Sequence, residues 1–173
     1  MYRILITTIL ALAGLTAVAT AIAMAGDGPL PPELRDVRAA VARYHSVEQA
    51  TRDGYVQASA CEESPAGAMG YHYANFGLMA DPAIDPLRPE VLLYLPDASG
   101  NLEFVGVEYL KFDSDGSLLT DDDRPSFLGQ PFDGPMPGHN ARMPVHYDLH
   151  VWVAEQNPSG VYAQWNSALT CPR

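Results

Sequence analysis

Between Val145 and Val153 every second residue is large and apolar: Val145, Tyr147, Leu149, Val151 and Val153. The residues between them are His146, Asp148, His150 and Trp152. A period of two marks a β-strand, whose side chains alternate between faces; on a helix the apolar positions would recur every three or four residues. One face of this strand is an ordinary core face. The other sets two imidazoles and a carboxylate in a row. The chain must therefore build a sheet with one apolar face and one face that carries titratable groups.

The rest of the sequence supplies partners for that strand. Residues 70–76, 91–95, 103–112 and 161–165 also read as strands. Pro96 to Asn101 and Asn157 to Gly160 have turn composition, which implies antiparallel hairpins. Upstream, Leu34, Val37, Val41, Tyr44, Val47 and Ala50 follow helical spacing, and Gly54 ends the run. Ser46 and Gln49 have the spacing of a capping box, so this region forms one helix or two with a break near His45. The expected fold is α+β: an N-terminal helix or helix pair packed on an antiparallel β-sheet of about five strands. Residues 113–144 follow no period. They are acidic first and rich in Pro and Gly later, and an ordered stretch of this kind often covers a site.

Residues 1–25 stand apart from the fold. After Arg3 the chain is uncharged from Ile4 to Ala25 and ends in Ala23-Met24-Ala25, the pattern of a signal peptide with its cleavage site. Uncleaved, the same run is long enough to be an N-terminal anchor. Residues 26–173 then form a single globular domain that is exported: periplasmic, secreted or at the cell surface. In such a compartment Cys61 and Cys171 are expected to form a disulfide. The net charge of -11, with only ten Lys and Arg, excludes a phosphate-neutralising face and so excludes nucleic acid as a partner. A membrane is a partner only if residues 1–25 stay attached.

The candidate chemistry lies on the polar sheet face. His146 and His150 are four residues apart, about 13 Å along a strand, too far to share one ion from parallel side chains. A metal site therefore needs one of them together with residues of neighbouring strands. His72, flanked by Tyr71 and Tyr73 on the opposite face, is one such residue. Glu108 is the other; strict alternation puts it on a face with Phe104, Leu110 and Phe112, where a carboxylate must be paired, ligated or protonated. His72, Glu108, His146 and His150 are the candidate ligands of a mononuclear divalent transition metal, Zn or Cu by donor type, with positions left open for water or substrate. Asp148 would orient a histidine, and His139 in the Pro/Gly-rich loop would cover the site. The alternative is a metal-free module in which the histidines, Tyr71, Tyr73 and Trp152 line a pocket for a small molecule. A third possibility is a purely structural network.

Other motifs carry less. Met69, Met136 and Met143 flank the histidine segments, but methionine commonly fills gaps in a core. Residues 112–116 have part of a calcium-loop pattern without its remaining acids, which suits a solvated turn. His45, beside the helical stripe, reads as a boundary residue.

Two stretches, Gly67-Ala-Met-Gly-Tyr-His-Tyr73 and Met136-Pro-Gly-His139 running into Met143-Pro-Val-His-Tyr-Asp-Leu-His-Val-Trp152, occur together with Asp53-Gly54-Tyr55 and Val107-Glu108-Tyr109. In these motifs the chain resembles a group of small exported, uncharacterised bacterial proteins. The resemblance implies one exported domain and brings no activity with it.

Overall fold

The computed structural model describes residues 30–172. The expected signal segment lies outside them. Among the described residues no helix is long and apolar enough to cross a membrane.

The helical region comes first. A 3-10 turn, Pro32–Leu34, leads into α1 (Arg35–Val41); a second 3-10 turn, Ala42–His45, precedes α2 (Val47–Arg52). Leu34, Val37, Val41, Tyr44 and Ala50 are buried, which is the stripe that the spacing predicts. The break falls at Ser46, whose backbone is extended and whose Oγ accepts a hydrogen bond from the Gln49 N–H at 3.2 Å. Only half of the capping box forms, because the Gln49 amide turns to Asp53. His45 is exposed at this break, edge-on to the Phe104 ring, and belongs to neither group of candidate metal donors among the described residues.

The strands are β1 (Val56–Gln57), β2 (Glu62–Ser64), β3 (Gly67–Ala74), β4 (Val91–Pro96), β5 (Leu102–Phe112), β6 (Ser126–Phe127), β7 (Gln130–Pro131), β8 (Asp133–Met136) and β9 (His146–Val151). Seven of them form one antiparallel sheet in the order β1-β3-β4-β5-β9-β8, with β2 also on β3; β6 and β7 make a separate hairpin. The sheet is thus larger than the expected five strands. β1 and β2 are too short to show a period. β8 carries Gly134 and Pro135, which an edge strand tolerates because one side of it needs no ladder bonds.

One sheet face packs on the helices. Tyr73, Leu92, Tyr94, Val107, Tyr109, Tyr147, Leu149 and Val151 share a core cluster with Leu34, Val37, Val41 and Tyr44. Tyr94 fastens the two layers by donating its hydroxyl to the Tyr44 carbonyl at 2.7 Å. The other face holds a smaller cluster of Ala74, Val91, Leu93, Leu95, Val105 and Trp152, with Cys61, Met79 and Leu169 against it. The Cys61–Cys171 disulfide is formed, across a sequence separation of 110, and joins the segment after β1 to the C-terminal segment.

Two expectations fail for identifiable reasons. Phe104 does not share the face of Glu108: the pairing shifts between Leu93 and Tyr94, so that Val105 is the extra residue of a β-bulge, and Phe104 joins the helix-side core. Residues 161–165 are turns rather than a strand. Two of their carbonyls are taken by side chains instead of a ladder, since the Trp152 indole donates to Ala163 O at 2.6 Å and the Asn157 amide to Trp165 O at 3.0 Å; Val161 O accepts from the Trp152 backbone N–H at 2.9 Å just past the end of β9.

Candidate metal centre

The register of the sheet decides which histidine meets the carboxylate. On β5 and β9, Glu108 stands opposite His150, Leu110 opposite Asp148 and Phe112 opposite His146. Side chains opposed in register share a face, so Glu108 and His150 meet directly. His72 lies two strands away, opposite Leu93 on β4, and its ring reaches across that strand to the carboxylate. Its strand bends at Gly70 (φ +91), where a Cβ would stand 2.4 Å from the Tyr94 carbonyl oxygen, so only glycine fits.

The result is a buried group of three. His72 Nε2 is 3.4 Å from Glu108 Oε2, and His150 Nε2 is 3.9 Å from the same oxygen. His72, Glu108 and His150 each offer one donor atom, and these atoms all lie within 4.8 Å of one another. Tetrahedral donors at zinc–nitrogen distances stand about 3.4 Å apart, so the three could close on one ion with small movements. His146 falls outside this group. It forms a second one with His139 and Asp148, again with donor atoms within 4.8 Å. Asp148 stands between the two: Oδ1 is 3.9 Å from His150 Nδ1, and Oδ2 is 4.0 Å from His146 Nε2.

Hydrogen bonding fixes the histidine tautomers. Ser59 Oγ donates to the Ala60 carbonyl at 2.6 Å, so its one hydrogen is committed. It can then only accept from His72 Nδ1, 3.0 Å away, which puts the ring proton on Nδ1 and leaves Nε2 as a lone pair toward Glu108. His146 Nδ1 faces the Pro144 carbonyl at 3.2 Å. A carbonyl only accepts, so here too the Nε2 lone pair is left free, aimed at Asp148. A histidine with its far nitrogen held by an acceptor and its near nitrogen bare is the arrangement of a metal ligand.

Among the described residues the facing atoms have nothing else to bind. Glu108 Oε2, His146 Nε2, both Asp148 carboxylate oxygens and both His150 nitrogens are buried without a hydrogen-bond partner. Each such atom costs about 1–3 kcal/mol if left unsatisfied, more if charged. Burial accordingly disfavours every charged form. It pushes the Glu108 carboxyl well above its usual range, with Asp148 and Glu90 adding to the effect. It pushes Asp148 up to about 7, with help from Asp133. It lowers His150 well below the ordinary histidine value, as do His72 and His139, and it lowers His72 to about 4. Neutral imidazoles are the form that binds metals.

The remaining candidates have other places. Tyr71 and Tyr73 pack in the helix-side core, across the sheet from the histidines, so they line no pocket with them. Trp152 is buried in the smaller cluster and spends its indole N–H on Ala163. Residues 112–116 form a turn in which Asp113 Oδ1 accepts from the Asp115, Gly116 and Ser117 N–H groups. Ser59, which sets the His72 tautomer, gives no sign of itself in the sequence. No family model, curated protein or solved structure matches the chain.

Proposed function

We propose that this is an exported metal-binding protein whose main site is His72, Glu108 and His150, holding a divalent transition metal. The observation that carries it is the buried, unpartnered Glu108 Oε2 between two imidazole Nε2 atoms, one of which the Ser59 contact holds as a bare lone pair. A cation satisfies all three donors at once, and no described protein group does. Two nitrogens and one carboxylate suit Zn or Cu better than Mg or Ca. Three protein ligands leave a further position for water or a small molecule. Asp148 Oδ1 lies 3.9 Å from His150 Nδ1, without a hydrogen bond, and would orient that ring if the site closed on an ion.

Elemental analysis of the protein, exported by its own leader and purified without a histidine tag or chelator, tests this directly. Near-stoichiometric Zn or Cu that is lost in His150→Ala is the expected result. A metal-free protein that takes up neither ion on reconstitution would overturn the proposal.

A further inference from the structure

The geometry points to a second metal position, formed by His139, His146 and Asp148 and lying on the solvent side of the first. It does not depend on the main site being occupied. Three observations support it. First, the donor atoms of the three residues lie within 4.8 Å of one another, and the His139 and His146 rings meet edge-on with centroids 5.0 Å apart. Second, His146 is 0% exposed and Asp148 1%, yet His146 Nε2 and both Asp148 carboxylate oxygens lack a hydrogen-bond partner among the described residues. The Pro144 carbonyl fixes the proton of His146 on Nδ1, so its bare Nε2 faces a carboxylate oxygen, two acceptors with nothing between them. Third, Asp133 stands opposite Asp148 in register on β8 and β9. A second carboxyl therefore faces the same place.

The loop that carries His139 is built to hold it there. The Met143 N–H donates to the Asn140 carbonyl at 3.1 Å, and Asn140 Oδ1 accepts from the Arg142 N–H at 3.0 Å, closing a tight turn just after the histidine. At Gly138 a Cβ would lie 1.9 Å from the Met143 carbonyl oxygen, so the close return of the loop needs glycine. His139 itself is exposed, whereas His146 and Asp148 are buried. The position therefore has one face open to solvent, and two imidazoles with one carboxylate select the same class of ion as the inner site. The two positions are linked through His150 and Asp148, whose Nδ1 and Oδ1 are 3.9 Å apart.

Equilibrium dialysis of the tag-free protein against Zn2+, with ions counted per chain, tests this. Wild type is expected to bind two ions, His139→Ala one and His72→Ala one. Because His139 is exposed, its replacement leaves the fold intact, and Asp148→Asn serves as a second variant that must also lose the outer ion. One ion in wild type that survives His139→Ala but not His72→Ala would overturn this inference and leave the main site standing. One ion lost in His139→Ala but kept in His72→Ala would uphold it and overturn the main site instead. No bound Zn2+ in wild type would overturn both.

Discussion

Glu108 and His150 stand opposite each other on adjacent antiparallel strands, with Oε2 and Nε2 3.9 Å apart, buried, and without a hydrogen-bond partner among the described residues. In a protein interior such a pair is either a costly flaw or the seat of something absent from the polypeptide. Replacing the carboxylate separates the two. Glu108→Gln is expected to weaken metal binding by more than about 100-fold, beyond what loss of a merely supporting group costs. The urea midpoint of the metal-free protein should not fall, since the neutral amide no longer needs a proton to stay buried. A loss of more than about 1 kcal/mol of unfolding free energy in that titration, with metal content unchanged, would make Glu108 part of a structural network.

Ser59 acts through His72. Ser59→Ala removes the acceptor for His72 Nδ1 and lets the ring choose its tautomer. Metal affinity should fall by about 10- to 100-fold while the number of ions bound stays the same. Ser59→Thr keeps the hydroxyl and should restore the affinity, measured by competition with a chromophoric chelator. If Ala and Thr bind alike, the tautomer argument is wrong.

Glu90 gives the fold a pH dependence of its own, although it is no candidate ligand. It is 1% exposed, and its Oε2 accepts from the Leu110 N–H at 3.2 Å. Burial raises its pKa from 4.5 to about 7. The native state therefore keeps a proton that the unfolded chain gives up, and stability falls as pH rises through that interval. Full ionisation costs on the order of 3 kcal/mol. Denaturant titrations at pH 4.5 and pH 7.5 on wild type and Glu90→Gln should show a smaller loss in the variant, whose amide oxygen still accepts from Leu110. Equal losses in both would place the effect elsewhere.

The disulfide closes a separation of 110 residues. In the chain-entropy view a crosslink of that span is worth up to about 4.7 kcal/mol. Changing both cysteines to alanine should lower stability by roughly 2–4 kcal/mol, read as a drop in the melting temperature. A drop of under about 1 kcal/mol would show that the C-terminal segment is held by its side-chain contacts alone.

Much of the site was legible in the sequence because a period of two survives in β9: His146, Asp148 and His150 do line one face, with Tyr147, Leu149 and Val151 on the other. Register was not legible. Nothing in the spacing says that Glu108 meets His150 and not His146, because sliding β9 by four residues keeps every side chain on its own face. The bulge at Val105 was hidden for a related reason, since one extra residue leaves the composition of the strand unchanged and moves only Phe104. Residues 161–165 have the composition of a strand, yet no neighbouring strand takes up their backbone groups. β8 was masked by Gly134 and Pro135. Ser59 was invisible because a single hydroxyl gains its meaning only from the ring brought beside it.

Ser59 lies two residues before Cys61, whose partner is Cys171 near the end of the chain. The hydroxyl that sets the His72 tautomer is thus tethered to a crosslink that cannot form until residue 171 has been synthesised and has met an oxidant. Reduction frees residue 61 and leaves Ser59 held beside His72 by local contacts, the His72 N–H on Ser59 Oγ at 3.2 Å and the Ala58 N–H on the His72 carbonyl at 2.7 Å. A reduced chain is therefore expected to hold metal less firmly than an oxidised one, so the strength of the site follows the redox state of a bond that contributes no ligand.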